Sequence, residues 1–403
     1  MKILFVCHRL PYPPNRGGKI RPFNMIRHLS QKHSVVVASL AHSEQELREG
    51  AGLEDYCDEV IAEVLPSSVR WLQALKALPT RMPSSLAYFW SPRLYARIQE
   101  KVLQTKFDVI FVHCAFVAQY VMDIETGFRV LDFGDFDSAK WAEYSRWKAF
   151  PVSSLYGFES DKLRKYERNV ARHFHRCTVT SQGERDEFQS LQVTAPCSVI
   201  PNGVDLTYFS PNRISSGAES SILFLGRMDY FPNIDGVCFF AKTILPLIRE
   251  QIPHVEFRIV GSNPSREVRA LAKIPGVVVT GHVPDVRSHV REGMVAVAPL
   301  RIARGTQNKI LESMAMGIPV VATPKAAKGI QGVPGRDLLV AETPFNFARH
   351  VVELLQRPEL HRRFSEAGRR QVEKAHLWSA SMKLLDTTLT DARPASRAVL
   401  SEV

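Results

Sequence analysis

The stretch VAVAPLRIARGTQNKILESMAMGIPVVAT, residues 295–323, decides how the rest of the chain is read. Its apolar run ends at Pro299 and Leu300 and reads as a buried parallel strand; PVVAT, residues 319–323, reads as the next. Between them Gly305 frees a loop, Thr306 is the expected N-cap, and Ile310, Leu311, Met314 and Ala315 recur at helical spacing before Gly317 closes the helix. A strand, loop, helix and strand in this order aim backbone N–H groups and a helix N-terminus beyond the strand end, a geometry suited to a phosphate. Lys309 can add charge to such a contact, and Glu312 can accept hydrogen bonds from two vicinal hydroxyls, such as those of a ribose. An ordinary crossover helix with a solvated Lys and Glu fits the same residues.

The 403-residue length fits two domains of about 200 residues each. With 45% hydrophobic and 23% charged residues, the composition is that of a globular rather than a disordered chain. Cys7, Cys57, Cys114, Cys177, Cys197 and Cys238 are scattered without a C-x-x-C pair, which favours reduced thiols in the cytoplasm over a disulfide framework or a zinc site. The first apolar run covers only residues 3–7, too short for a signal peptide, and no later run is expected to approach the ~20 residues of a membrane span. A cytoplasmic protein is therefore expected. The net charge of +11 divides into +3 for residues 1–205 and +8 for residues 206–403. Phosphates, anionic lipids and nucleic acid all suit such a surface, but the basic residues are dispersed and no nucleic-acid recognition motif accompanies them.

The run from Lys309 through Glu312, Met314, Gly317 and Pro319 to Val320 is similar to the donor-site signature of the group 1, or family 4, retaining glycosyltransferases of the GT-B fold. That resemblance implies an α/β chain of two Rossmann-like domains facing across a cleft, with a nucleotide-diphosphate sugar on the second and a glycan or lipid-linked acceptor on the first. It implies no metal and no other cofactor. Donor contacts are then expected from Arg304, Gly305, Thr306, Gln307, Asn308, Lys309 and Glu312. One departure stands out: the family's second glutamate, eight positions before the ribose-binding one, is here Arg304. Arg227, after the strand ILFLG, resembles the family's diphosphate-binding arginine, yet the lysine expected five residues later is Pro232. Arg304, together with Lys309, is the expected substitute for that missing cation.

The resemblance extends over most of the chain and is strongest for residues 199–323. After the first strand, Gly17 and Gly18 match the Gly-rich loop that in this family lies across the cleft from the donor phosphates, with Arg16 and Lys19 as phosphate or acceptor contacts. His113, at the end of FDVIFVH, matches a histidine that faces the donor sugar and is the expected catalytic-site residue; a structural, hydrogen-bonded histidine is the plainer alternative. His282 and Val283 match the stretch whose backbone holds the nucleobase. Asp135 and Asp137 imitate a metal-binding D-x-D, but nothing else matches the fold that uses one, so with Lys140 they are expected as acceptor-side groups without a metal.

An aromatic-rich insertion, residues 69–98, and a basic helix expected over residues 160–176 are the two segments that could touch a membrane or its lipid-linked acceptors; core packing and a solvated face are the plainer readings. The expected boundaries are an N-terminal domain over 1–205, a linker over 206–220, a donor domain over 221–376, a helix over 377–390 returning to the first domain, and a tail over 391–403. Arg304 to Lys309, with Pro232-Asn233, also resembles the sugar transferases of bacterial exopolysaccharide and PEP-CTERM (exosortase) systems. A nucleotide-sugar 2-epimerase of the same architecture and a non-catalytic nucleotide-sugar-binding subunit remain alternatives.

Overall fold

The computed structural model describes residues 1–125, 127–211, 220–290 and 294–392. It divides into two compact units, Met1–Ile200 with Met382–Val403, and Pro201–Ser381. Most of the expected linker and nearly all of the expected tail lie outside the described residues.

Unit 1 is built on seven strands, β1 (Lys2–Cys7), β2 (Ser34–Ala41), β3 (Glu59–Val64), β4 (Val109–His113), β5 (Phe128–Gly134), β6 (Arg176–Val179) and β7 (Cys197–Val199). They pair parallel throughout in the order β3-β2-β1-β4-β5-β6-β7. Helices cover both faces, so the central strands are buried on both sides; that is why β1, β2 and β4 read as unbroken apolar runs. Unit 2 repeats the plan with β8 (Ser221–Leu225), β9 (Glu256–Val260), β10 (Val277–Gly281), β11 (Val295–Ala298), β12 (Val320–Ala322) and β13 (Leu339–Val340), in the parallel order β10-β9-β8-β11-β12-β13. In each sheet the strand order reverses beside the first strand, between β1 and β4 and between β8 and β11. Open parallel sheets bind ligands beyond the carboxyl ends of the strands at that reversal.

The first division of the chain falls after Ile200, where the sequence suggested 205, because residues 201–205 are bonded into unit 2. Val204 N donates to His376 O at 2.9 Å, and Gly203 lies so close to Trp378 that an added Cβ would come within 2.6 Å of its backbone nitrogen. His376 is fully buried: its Nε2 accepts from Gln331 N, and its Nδ1–H donates to Asn202 O at 3.1 Å. The helix Trp378–Thr388 runs across the second division, and Asp386 on it receives a hydrogen bond from His28 at 2.8 Å.

Two sequence expectations are corrected here. The helix Val152–Ala171 begins eight residues earlier than expected and stops before Arg176, which opens β6; Lys162 on it is buried against Glu159 and the carbonyls of Leu78, Thr80 and Met82, so it contributes nothing to a basic surface. Residues Phe231–Arg249 form one continuous helical run of 19 residues, long and apolar enough to cross a membrane, where none was expected. Its Val237, Phe240, Ile244 and Ile248 are buried in the core of unit 2, which accounts for the apolarity.

Candidate active site

The loop after β11 carries the donor-site signature to the reversal point of unit 2. The helix Asn308–Ala315 starts two residues later than its expected cap: Gln307 is the N-cap, in extended conformation, and no side chain bonds the first turn. Thr306 is thus not the cap; its hydroxyl is buried and has no hydrogen-bond partner. An uncapped helix start beside an unsatisfied hydroxyl is a ready acceptor for anionic oxygens. The Gln307 side-chain amide donates to Arg304 O at 2.8 Å and braces the loop. Asn308 Oδ1 lies 3.5 Å from the Asn202 amide, which ties the helix start to the turn at 201–205.

Lys309 and Glu312 project from the first turns of this helix, both half-buried. The Lys309 ammonium sits 4.7 Å from the centre of the Phe224 ring and donates to Asn233 Oδ1 at 2.5 Å. Burial pushes the lysine down to about 7, against the pull of Glu312, and pushes Glu312 up to about 7, against the pull of Lys309. Asn233 in turn donates to Arg227 O at 2.8 Å. Sequence reasoning noticed Asn233 only as part of a subgroup mark; its place between the loop after β8 and Lys309 depends on a contact 76 residues apart.

Arg227 follows β8, and its guanidinium is held by both oxygens of Asp229. This acid, two residues away, was not singled out by the sequence reading; it occupies the cation expected for a diphosphate. Behind it, the backbones after β8 and β9 nearly touch: Gly261 (φ +152°) leaves no room for a Cβ, which would sit 1.6 Å from Gly226 O. His282 is exposed and Val283 half-buried in the loop after β10, next to Asp285, which receives a hydrogen bond from the backbone of Arg287 and pairs with its side chain. Arg304 is half-buried within the loop beside Gly305.

At the reversal point of unit 1, His113 ends β4 with its ring buried. Its Nδ1 lies 2.7 Å from Asp132 Oδ2, and since a carboxylate only accepts, Nδ1 carries the proton and leaves Nε2 as the chemically available nitrogen. Asp132 is fully buried. Arg21 grips it with two bonds of 2.9 and 2.7 Å, Thr178 donates at 2.6 Å, and the remaining arm of Arg21 donates to Ile200 O at 2.7 Å. Despite its burial, the charge of Arg21 and these bonds hold the carboxyl far below the usual range. Sequence reasoning found His113 but not this support, whose members come from three other elements.

The remaining acceptor-side expectations are partly corrected. Lys19 is 1% exposed and bonds Tyr12 O and Glu46, and Arg16 reaches the same Glu46 at 3.2 Å, so Lys19 is not a surface contact for a ligand. Gly17 opens the helix Gly17–Leu29, and Gly18 lies against His8, 3.8 Å from its Nε2 to an added Cβ. Asp135 receives the Thr180 hydroxyl at 2.6 Å and Asp137 pairs with Lys140 at 2.7 Å; the two acids point to separate partners and do not share a metal-like site. A different trio, His8, His113 and Cys114, does bring potential ligand atoms within 4.8 Å of one another. It is a poor place for a cation, because burial keeps the Cys114 thiol protonated and His8 faces the positive charges of Arg9 and Lys140.

Comparison with known proteins bears on the family and the fold. The model of the family "Glycosyl transferases group 1" matches residues 219–357, and that of "Glycosyltransferase Family 4" matches residues 141–208. The chain belongs to the group 1 glycosyltransferases and has the GT-B fold. Over nearly its full length it is similar to the sucrose-phosphate synthase of Thermosynechococcus elongatus, with a TM-score of 0.69 and 14% identity over 98% of this chain and 100% of that one. Anabaena HepE in complex with UDP-glucose gives a TM-score of 0.69 and 15% identity, over 97% of this chain and 100% of that one. Among curated sequences, an uncharacterized 44.6 kDa protein in the cps region of Klebsiella pneumoniae is 20% identical over 87% of this chain and 90% of its own length.

Proposed function

We propose that the chain transfers a sugar from a nucleotide-diphosphate sugar to an acceptor hydroxyl with retained anomeric configuration, in bacterial exopolysaccharide or cell-surface glycan synthesis at the inner face of the plasma membrane. The observation that carries this reading is the uncapped first turn of Asn308–Ala315, with Lys309 and Glu312 half-buried on it at the reversal point of a parallel sheet. The UDP-glucose held by HepE and the cps region that encodes the Klebsiella relative support the donor class and the pathway.

In this reading the diphosphate rests on the amides at residues 306–309, and Lys309, Arg304 and Arg227 offset the charge that grows on it as it departs. Arg227 exchanges Asp229 for the phosphate. Glu312 receives the ribose hydroxyls, and the backbone at His282 and Val283 holds the base. The acceptor oxygen bonds to the anomeric carbon on the face from which the diphosphate leaves, and the acceptor proton passes to a departing phosphate oxygen. His113, oriented by Asp132, offers Nε2 to a sugar hydroxyl. With the charge offset by these cations and the helix start, no metal is required.

Incubation with UDP-, GDP- and ADP-sugars and a membrane extract as acceptor, followed by NMR of the product's anomeric signal, tests the reaction. Retained configuration is expected. An inverted product or a trapped glycosyl-enzyme contradicts the mechanism, and epimerised donor formed without acceptor identifies a 2-epimerase instead.

The membrane contact is proposed for a surface of unit 1 that takes in only the N-terminal end of the helix Val152–Ala171, not its basic stretch. Trp71, Leu72 and Leu75 on the helix Ser67–Ala77, with Met82, Phe150, Leu155 and Phe158, are large apolar side chains left exposed. Lys162 and Glu159 join the two segments, since the lysine bonds the carbonyl of Met82 and the glutamate receives Ser84 N. Residues 67–90 and 144–158 contain no acid, and besides the buried Arg70 they carry Lys76, Arg81, Arg146 and Lys148. Exposed apolar side chains in segments whose charged residues are all basic fit the interface of an anionic bilayer. Co-sedimentation with phosphatidylglycerol vesicles, lost on phosphatidylcholine and in a Trp71→Ser/Leu75→Ser variant, is the expected result; self-association of the chain with no vesicle binding would assign the surface to a second copy.

A further inference from the structure

Unit 1 contains a buried cation that no carboxylate among the described residues bonds. Arg70, on the inner side of the helix Ser67–Ala77, is 5% exposed. Its guanidinium lies over the Tyr88 ring at 4.9 Å, its Nε is buried without a hydrogen-bond partner, and among the described residues no carboxylate pairs with it. Burying a guanidinium in this way is costly, and structures pair such groups or hold them for a ligand.

The surroundings add positive charge. Glu46 is the acid of the neighbourhood, and it already takes Arg9 at 2.5 Å, Lys19 at 3.0 Å and Arg16 at 3.2 Å, besides the backbone N–H of His42 at 2.9 Å. Three cations thus share one carboxylate, with Arg70 in addition nearby. Two more polar atoms here, His42 Nε2 and His8 Nδ1, are buried without partners. These groups are contiguous: Tyr88 packs on Phe89 at 4.9 Å, and Phe89 contacts both His42, at 6.1 Å, and His8, at 5.6 Å. His8 in turn lies 5.8 Å from the His113 ring. Burial, and then the neighbouring charges of Arg9 and Arg70, drive His42 down to about 3, so the imidazole stays neutral and adds no further charge.

We propose that this cluster of Arg9, Arg16, Arg70 and His42 beyond β1 and β2 binds a phosphate or diphosphate group borne by the acceptor. The word acceptor rests on the transferase reading above; the anion site itself does not. Guanidinium forks match phosphate oxygens in pairs, and an excess of cations over carboxylates suits a multiply charged anion better than a single carboxylate. Tyr88 and Phe89 give the site an apolar wall, and Trp71, next to Arg70 on the same helix, is exposed. The shared chemistry could come from a lipid-borne diphosphate or from a soluble sugar phosphate.

Thermal unfolding of the full chain, saturated with UDP, is followed on addition of inorganic phosphate, glucose 6-phosphate, farnesyl diphosphate and, as the uncharged control, farnesol. The anions are expected to raise Tm by about 5 °C at a hundredfold excess over Kd, and farnesol to have no effect. Farnesyl diphosphate binding at least tenfold tighter than phosphate supports a lipid-borne source, and glucose 6-phosphate doing so supports a soluble one. Arg70→Met should raise Tm without anion, because it removes the unpaired buried cation, and should abolish the anion shift. Arg9→Gln, which alters a partly exposed side chain, should weaken anion binding at least tenfold and decides the matter if Arg70→Met does not fold. An anion shift that survives in the folded variant, or no shift with any anion, overturns the proposal. UDP binding read in the same samples separates the two readings: bound UDP without an anion shift removes only this anion site, and an Arg70-dependent shift without UDP binding removes only the donor site.

Discussion

Lys309 Nζ lies 2.5 Å from Asn233 Oδ1, so the cation of the donor helix is anchored by a neutral amide from the helix after β8. A neutral anchor fixes the ammonium without neutralising it. Asn233→Asp keeps the shape and adds a charge that competes with the diphosphate. Donor affinity, measured by calorimetry with UDP-glucose, is expected to fall about tenfold, or about 1.4 kcal/mol; unchanged affinity contradicts the role given to Lys309.

Lys309, brought down to about 7 by burial, is mostly neutral at pH 8 in the free protein. A bound diphosphate favours the charged form, so binding at pH 8 should take up a proton, and affinity should decline as pH rises through 7. Glu312, pushed up to about 7, loses its accepting oxygens as pH falls below that value, so affinity should decline on the acid side too. Calorimetry in buffers of different ionisation enthalpy measures the uptake, and an affinity flat from pH 6 to 8 contradicts this account.

Arg304 stands where the family resemblance places an acid, in the loop braced by Gln307. Arg304→Ala is expected to weaken UDP-sugar binding about tenfold by removing a cation from the diphosphate. Equal affinity would show that Lys309 and Arg227 suffice.

Asp132 is buried among Arg21, His113 and Thr178. Asp132→Asn strands the Arg21 charge and should cost about 3–5 kcal/mol of stability, read by urea unfolding. It also removes the acceptor that fixes the His113 tautomer, so transfer should fall more than Tm alone explains; a stable and fully active variant contradicts both roles.

Much of the double sheet could be read along the chain, because central parallel strands are apolar on both faces and show as runs such as ILFV and VIFV. The two-residue β13 and the start of the helix Asn308–Ala315 could not, since both depend on contacts made elsewhere. The places of Lys309 and Glu312 on the helix after β11, and of His113 at the end of β4, were legible from motif and position. Their partners were not: Asn233, Asp132 and Arg21 reach them from distant segments, and a lone Asn or Arg in a helix carries no local sign of its partner. Lys19 was misread for the same reason, as its position beside Gly17 and Gly18 suggested a ligand while Glu46, far along the chain, claims it.

The most direct test is equilibrium binding of UDP and UDP-sugars to the wild-type chain and to Glu312→Ala and Lys309→Ala. The account predicts saturable binding by the wild type, weakened at least tenfold in each variant, with the Glu312→Ala loss disappearing when the ribose is replaced by 2′,3′-dideoxyribose. Equal binding by all three proteins, or none by the wild type across UDP-, GDP- and ADP-sugars, would contradict the assignment of the helix Asn308–Ala315 as the donor site.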